Sequence, residues 1–90
     1  MLYEVRVSKE YKRAYKKISK KDSVLIDIML LKNYPRTSPL EAKYKDHQLK
    51  GNYKGFRECH IKPDLLLIYR KNKDILELYL ASLGFHSYVF

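Results

Sequence analysis

Three short blocks hold every histidine of this 90-residue chain: Tyr44-Lys45-Asp46-His47, then Arg57-Glu58-Cys59-His60-Ile61-Lys62-Pro63-Asp64, then Gly84-Phe85-His86. Each imidazole has a carboxylate, a cation or a glycine close to it in sequence. Imidazole titrates near neutral pH, and lysine or arginine can neutralise a developing oxyanion, so such a group can move protons around a phosphate. The chain carries 19 lysines and arginines against 10 acids, a formal net charge of +9. Charge of that sign favours RNA, DNA, anionic membranes or acidic proteins as partners. Chemistry and charge together point to a small ribonuclease that works without a metal.

The elements that must position these residues follow from periodicity. Leu2 to Val7 alternates, with Tyr3, Val5 and Val7 on one side, and reads as a strand. Ser8 can cap a helix in which Tyr11, Ala14, Tyr15 and Ile18 recur at helical spacing. Its other face is basic: seven cations stand against one acid between Lys9 and Lys21, more than solvation of a helix face needs. General attraction to RNA or to an acidic partner accounts for that excess. Asp22 or Ser23 can cap a second helix through Val24–Leu31, apolar on nearly every side and so expected to be deeply packed or covered by a partner. Pro35 and Pro39 end it.

The second half reads as sheet. Gly55 to Ile61 alternates, placing Phe56, Glu58 and His60 on one face and Arg57, Cys59 and Ile61 on the other. Lys62-Pro63 makes a turn. Leu65–Tyr69 is a continuous apolar run, as in a strand buried on both faces. Lys71–Asp74 supplies hairpin residues, Ile75–Ala81 returns, Gly84 breaks the run, and Ser87–Phe90 can form a further edge strand. The expected fold is α+β: one domain over residues 1–90 in the order β-α-α-β-β-β(-β).

Glu58 and His60, two apart in a strand, point the same way, and Asp64 beyond the turn can reach the same region; a carboxylate near imidazole favours its charged form and fixes its tautomer. The alternative is a solvated strand face with an incidental histidine, and spacing alone leaves the two even. His47 opens a segment with two glycines and three lysines in eleven residues, Lys45 to Gly55. That suits phosphate contacts through lysine and backbone N–H groups, although taken alone a mere soluble connection is the better reading. Phe90 can stack on a base or close the core. Most of the nine tyrosines, at helix and strand spacing, are packing residues.

Three histidines with Glu58, Asp64 and Cys59 could ligate zinc, yet the chain has no Cys-x-x-Cys, no His-Glu-x-x-His and no paired ligand spacing, so no metal or cofactor is expected. Cys59 reads as a small buried hydrophobe rather than a nucleophile. A lone cysteine suits a reducing cytoplasm, the amino terminus lacks a signal-peptide layout, and no apolar run approaches the ~20 residues that span a bilayer. A cytoplasmic protein with no membrane partner is the expectation.

Tyr44-Lys45-Asp46-His47 with Leu49 and Gly51, then Gly55-Phe56-Arg57-Glu58-Cys59-His60, Pro63-Asp64, Ile68-Tyr69 and Gly84-x-His86-Ser87 resemble the YafQ branch of the RelE/ParE toxin superfamily. The similarity covers essentially the whole chain. It implies a RelE-like fold, a twisted antiparallel sheet with the two N-terminal helices packed on one side, and a messenger RNA interferase toxin of a type II toxin–antitoxin pair. His47, His60, Asp64, His86 and Phe90 match residues that line the family's cleavage site. Members often carry aspartate where this chain has Glu58, proline at Gln48 and a small hydroxyl residue at Phe85. On the expected mechanism, the 2′-hydroxyl attacks the adjacent phosphorus, leaving a 2′,3′-cyclic phosphate and a 5′-hydroxyl. His86 is the acid and His60 the base, positioned by Glu58 or Asp64; these two roles can be exchanged. His47 with Lys45, Lys50, Lys54 and Arg57 holds the phosphate. The implied partners are messenger RNA, in the ribosomal A site or free, an acidic antitoxin, and operator DNA through the antitoxin complex. A ParE-like gyrase poison and a non-catalytic nucleic-acid-binding module remain the alternatives.

Overall fold

The computed structural model describes residues 4–33, 42–72 and 74–85. Strand β1 (Glu4–Val7) leads into helix α1 (Lys9–Lys17). Ser8 caps α1 as its sequence position suggests: its Oγ accepts the Tyr11 N–H at 2.9 Å and donates to the Ala81 carbonyl, so one side chain starts the helix and ties it to the sheet. Helix α2 (Lys20–Asn33) begins earlier than expected, because Ser19, rather than Asp22 or Ser23, accepts the first-turn N–H, from Asp22 at 3.1 Å. Asp22 instead reaches Lys62 Nζ at 3.1 Å and pins the helix to the sheet.

Short strand β2 (His47–Gln48) follows, then β3 (Arg57–Lys62), β4 (Leu65–Asn72) and β5 (Glu77–Phe85). The sheet order is β1-β5-β4-β3-β2. Consecutive strands β2 to β5 pair antiparallel, while β1 lies parallel to β5, so the sheet is mixed rather than wholly antiparallel. The reason is connectivity: helices follow β1 at once, no hairpin partner is available to it, and parallel pairing tolerates a long crossover. The expected strand over Ser87–Phe90 lies outside the described residues; the fifth strand is β2. Gly84 does not end β5. It pairs with Leu66 inside the ladder.

Both helices lie on one face of the sheet. Tyr11, Ile26 and Met29 pack there against Cys59, Ile61, Leu65, Leu67, Tyr69, Leu78, Leu80 and Leu83. Ile26 and Met29 are fully buried, each such side chain contributing about 1.5–3 kcal/mol. The outer side of α2 stays open at Val24, Leu25 and Ile28, so the helix is packed on one side only. On the sheet's other face the residues alternate with these, and they include Glu58, His60, Leu66 and Ile68. Among the described residues, no helix is long and apolar enough to cross a membrane.

Candidate active site

Register brings two of the three histidine blocks together. His47 in β2 stands opposite Glu58 in β3, and His60 lies two residues further along β3. The rings of His47 and His60 have centroids 6.5 Å apart. Their Nε2 atoms lie 3.3 Å and 3.9 Å from one oxygen, Glu58 Oε1. Strand alternation thus delivers the expected Glu58–His60 pair, and the short β2 pairing adds His47.

The tautomers follow from the other ring nitrogens. His47 Nδ1 donates to the Lys45 carbonyl at 2.8 Å, and His60 Nδ1 to the Pro63 carbonyl at 3.3 Å. A carbonyl oxygen can only accept, so Nδ1 carries hydrogen in both rings. Nε2 is then the atom that gains and loses a proton, and in both rings it faces Glu58. The Lys45 carbonyl reaches His47 because Lys45 adopts φ 49°, a left-handed backbone that costs a non-glycine residue energy and is held by its surroundings.

Glu58 is buried on this face, and its Oε2 is buried with no hydrogen-bond partner among the described residues. A buried acceptor left in that state costs about 1–3 kcal/mol, which folding alone gives no reason to keep. Leu66 and Ile68, also buried, lie across the sheet from His60 and Glu58 and supply an apolar floor. Beside His60 an open cleft of about 410 Å³ is lined by Lys43, Tyr44, Lys45, Ile61, Lys62, Pro63 and Leu25. Its three lysines suit an anion, although Lys62 is also engaged by Asp22.

Other expected site residues stand apart from this centre. Asp64 is exposed in the turn between β3 and β4, and the described contacts of His60 run to Glu58 and Pro63 instead. Lys50 and Lys54 flank an exposed 3-10 turn, Gly51–Tyr53, at the end of the β2–β3 connection. Arg57 points to the helix face, where Asp46 holds it: Nε lies 3.1–3.2 Å from both carboxylate oxygens and Nη2 3.0 Å from one. The hydrogen bond to Asp46, ahead of its charge, raises the Arg57 pKa further. The Tyr69 hydroxyl donates to the same carboxylate in a short hydrogen bond. His86 and Phe90 lie outside the described residues.

The Asp46–Arg57–Tyr69 group is a positioning device that the sequence reading missed. It clamps the residue before His47 to β3 and β4. Its signal was present in Asp46 beside His47 and in a tyrosine ending an apolar strand, whose hydroxyl needs a partner when buried. Cys59 is fully buried, and burial pushes its thiol pKa well up, with the charges of Asp46 and Glu58 adding to the effect. It is therefore a protonated packing group at neutral pH. Among the described residues, no group of three or more His, Cys, Asp or Glu is arranged to hold a metal ion.

Residues 3–90 match the family model described as the bacterial toxin of a type II toxin–antitoxin system, YafQ. The mRNA interferase toxin YafQ of Escherichia coli K12 is 36% identical over 88 residues, covering 98% of this chain and 91% of that one. Among solved structures, the E. coli DinJ–YafQ toxin–antitoxin complex contains a chain with TM-score 0.73 and 28% identity, at 100% and 99% coverage. A metal-bound toxin from Helicobacter pylori superposes with TM-score 0.70 and 39% identity, each chain covered completely.

Proposed function

The chain belongs to the YafQ family of bacterial type II toxin–antitoxin toxins, and from that premise we propose that it is an endoribonuclease cleaving messenger RNA by attack of the 2′-hydroxyl. The observation that carries the reading is the convergence of His47 Nε2 and His60 Nε2 on one oxygen of buried Glu58. RNA contains its own nucleophile, so the reaction needs only a base, an acid and positive charge around the phosphate. All three can be side chains.

His60 Nε2 takes the proton of the 2′-hydroxyl as the 2′-oxygen bonds to phosphorus. The bond from phosphorus to the 5′-oxygen breaks, and that oxygen leaves with a proton from the acid. The products are a 2′,3′-cyclic phosphate and a 5′-hydroxyl. Glu58 stabilises the imidazolium that forms, and by sharing Oε1 it couples His60 to His47. His47 with Lys45 binds the phosphate, Lys50 and Lys54 on their exposed turn add attraction for the flanking RNA backbone, and Arg57, held by Asp46, positions the His47 segment. The acid role falls to His86 and base stacking to Phe90, on the sequence match alone. Asp64 contributes at the rim, as a carboxylate near the turn that carries the Pro63 carbonyl. An acidic antitoxin is the protein partner, by analogy with the DinJ complex of the E. coli relative.

The test is a His60→Ala, His86→Ala double variant. Loss of one acid–base group lowers cleavage by about 10²–10⁴-fold. A double variant that cleaves RNA at the wild-type rate would sink the scheme, and inhibition of DNA supercoiling with RNA left intact would favour a gyrase poison.

A further inference from the structure

A second feature shares the sheet face of Glu58 and His60. Arg57 pairs with Tyr69, which sets Phe56 opposite Arg70, and Arg70 pairs with Tyr79. Phe56 just before β3, Arg70 in β4 and Tyr79 in β5 therefore form one row across the sheet. The row lies two residues from the row of Glu58 and Ile68, a displacement of about 7 Å along the strands. Arg70 Cζ stands 5.1 Å from the Phe56 ring centroid and 5.3 Å from that of Tyr79. A guanidinium so placed holds both rings through cation–π attraction without carrying them into the core.

The two rings wall an open groove of about 480 Å³, together with Asn52 and Tyr53 on one side and Lys9 and Arg13 of α1 on the other. Tyr53 is 42% exposed. Glu10 also lines the groove, where it accepts from Ser82 Oγ at 3.2 Å; Ser82 pairs with Ile68 in the row of Glu58. The groove thus runs up to the row of the candidate active site. Its lining combines three aromatic residues, one amide with both donor and acceptor, two cations and the Glu10 carboxylate, which Ser82 engages. That combination matches a single-stranded nucleotide: stacking for the base, an amide for its edge, cations for its phosphate. An anion alone would not use the rings.

We propose that this groove is a nucleobase subsite, holding a base of the single-stranded RNA beside the cleaved phosphate. The proposal rests on the endoribonuclease reading and extends it to substrate recognition. The Arg70 clamp presents Phe56 and Tyr79 already fixed, so binding does not have to order them. Stacking on such rings is worth about 5- to 150-fold in affinity per base on alanine substitution.

The chain has no tryptophan, so Tyr79→Trp introduces a lone indole reporter while keeping a stacking surface. The probes are a 2′-O-methyl RNA oligonucleotide, which cannot be cleaved through its 2′-oxygen, and an abasic strand of the same length and charge. Anisotropy of labelled strands records total binding in parallel. The base-bearing strand should quench the indole and the abasic strand should not. In the wild-type background, Tyr79→Ala and Tyr53→Ala should each weaken the base-bearing strand 5- to 150-fold, with the abasic strand unaffected. Equal quenching by both strands, or unchanged affinity in both alanine variants, overturns the subsite alone if the wild-type protein still cleaves RNA. A wild-type protein that neither binds nor cleaves RNA overturns the endoribonuclease reading, and the subsite with it.

Discussion

Removing the charge of Asp46 tests whether the site is held in place from behind. Its carboxylate takes Arg57 through Nε at 3.1–3.2 Å and Nη2 at 3.0 Å, and it also takes the Tyr69 hydroxyl. The Arg57 side chain is 39% exposed, so its pairing is screened and worth ~0.2–1 kcal/mol. Tyr69 is 2% exposed, and a hydrogen bond from it to a charged group is worth ~1.5–3 kcal/mol, against ~0.5–1.5 for a neutral acceptor. Asp46→Asn keeps the shape and one acceptor, so the expected loss is about 1–2 kcal/mol. For a domain of this size that lowers Tm by roughly 6–12 °C. Urea unfolding of Asp46→Ala, Tyr69→Phe and the double variant isolates the pair. The expected coupling is at least ~1 kcal/mol, on the scale of a hydrogen bond to a charged group. Asp46→Ala should also slow RNA cleavage more than Tyr69→Phe, because Asp46 is bonded in sequence to His47. Additive stabilities, within about 0.5 kcal/mol, would refute the clamp.

Three further outcomes follow from buried groups. Glu58→Gln should lower cleavage by about 10²-fold or more, as expected for loss of an acid–base partner. Its Tm should hold or rise, since a buried carboxylate with an unmatched oxygen is removed; a large fall in Tm with cleavage intact would make Glu58 structural. Cys59 should resist a thiol reagent such as Ellman's at pH 8 in the folded protein and react fully in denaturant; rapid native reaction would contradict its burial. Burial raises its pKa, so the unfolded chain loses the thiol proton first, near pH ~8.5. The stability tied to it is complete below that pH and is lost as pH rises beyond it, and the buried Tyr11 hydroxyl, also raised by burial, acts in the same sense from ~10. Urea midpoints should therefore fall between pH 7 and pH 10, and a midpoint that rises would count against it.

Much of this was legible because period-2 alternation is a strong signal. Phe56, Glu58 and His60 fall on one face, and Cys59 and Ile61 on the other, as the alternation required. The Leu65–Tyr69 run proved buried on both faces for the same reason. What sequence could not supply was long-range register. The two-residue strand His47–Gln48 is too short to show a pattern, yet its pairing opposite Glu58 and Arg57 is what joins His47 to the site. The parallel partnership of β1 with β5 spans almost the whole chain and leaves no local trace. Asp64, expected within reach of the same region, is exposed in the turn, and the His60 ring takes the carbonyl of the adjacent Pro63. For α2 an all-round apolar composition suggested deep packing or cover by a partner, and within this chain only the side carrying Ile26 and Met29 meets the sheet.

The proposed mechanism has RNA cut by its own 2′-hydroxyl under imidazole catalysis at the Glu58 cluster. The most direct measurement follows a labelled RNA through cleavage by the purified protein, beside the same RNA with a single 2′-deoxy substitution at the mapped cut site, with end groups identified on the products. The mechanism requires 2′,3′-cyclic phosphate and 5′-hydroxyl ends from the first and no cut at that position in the second. Equal cutting of the 2′-deoxy strand, or products with 5′-phosphate ends, would contradict it.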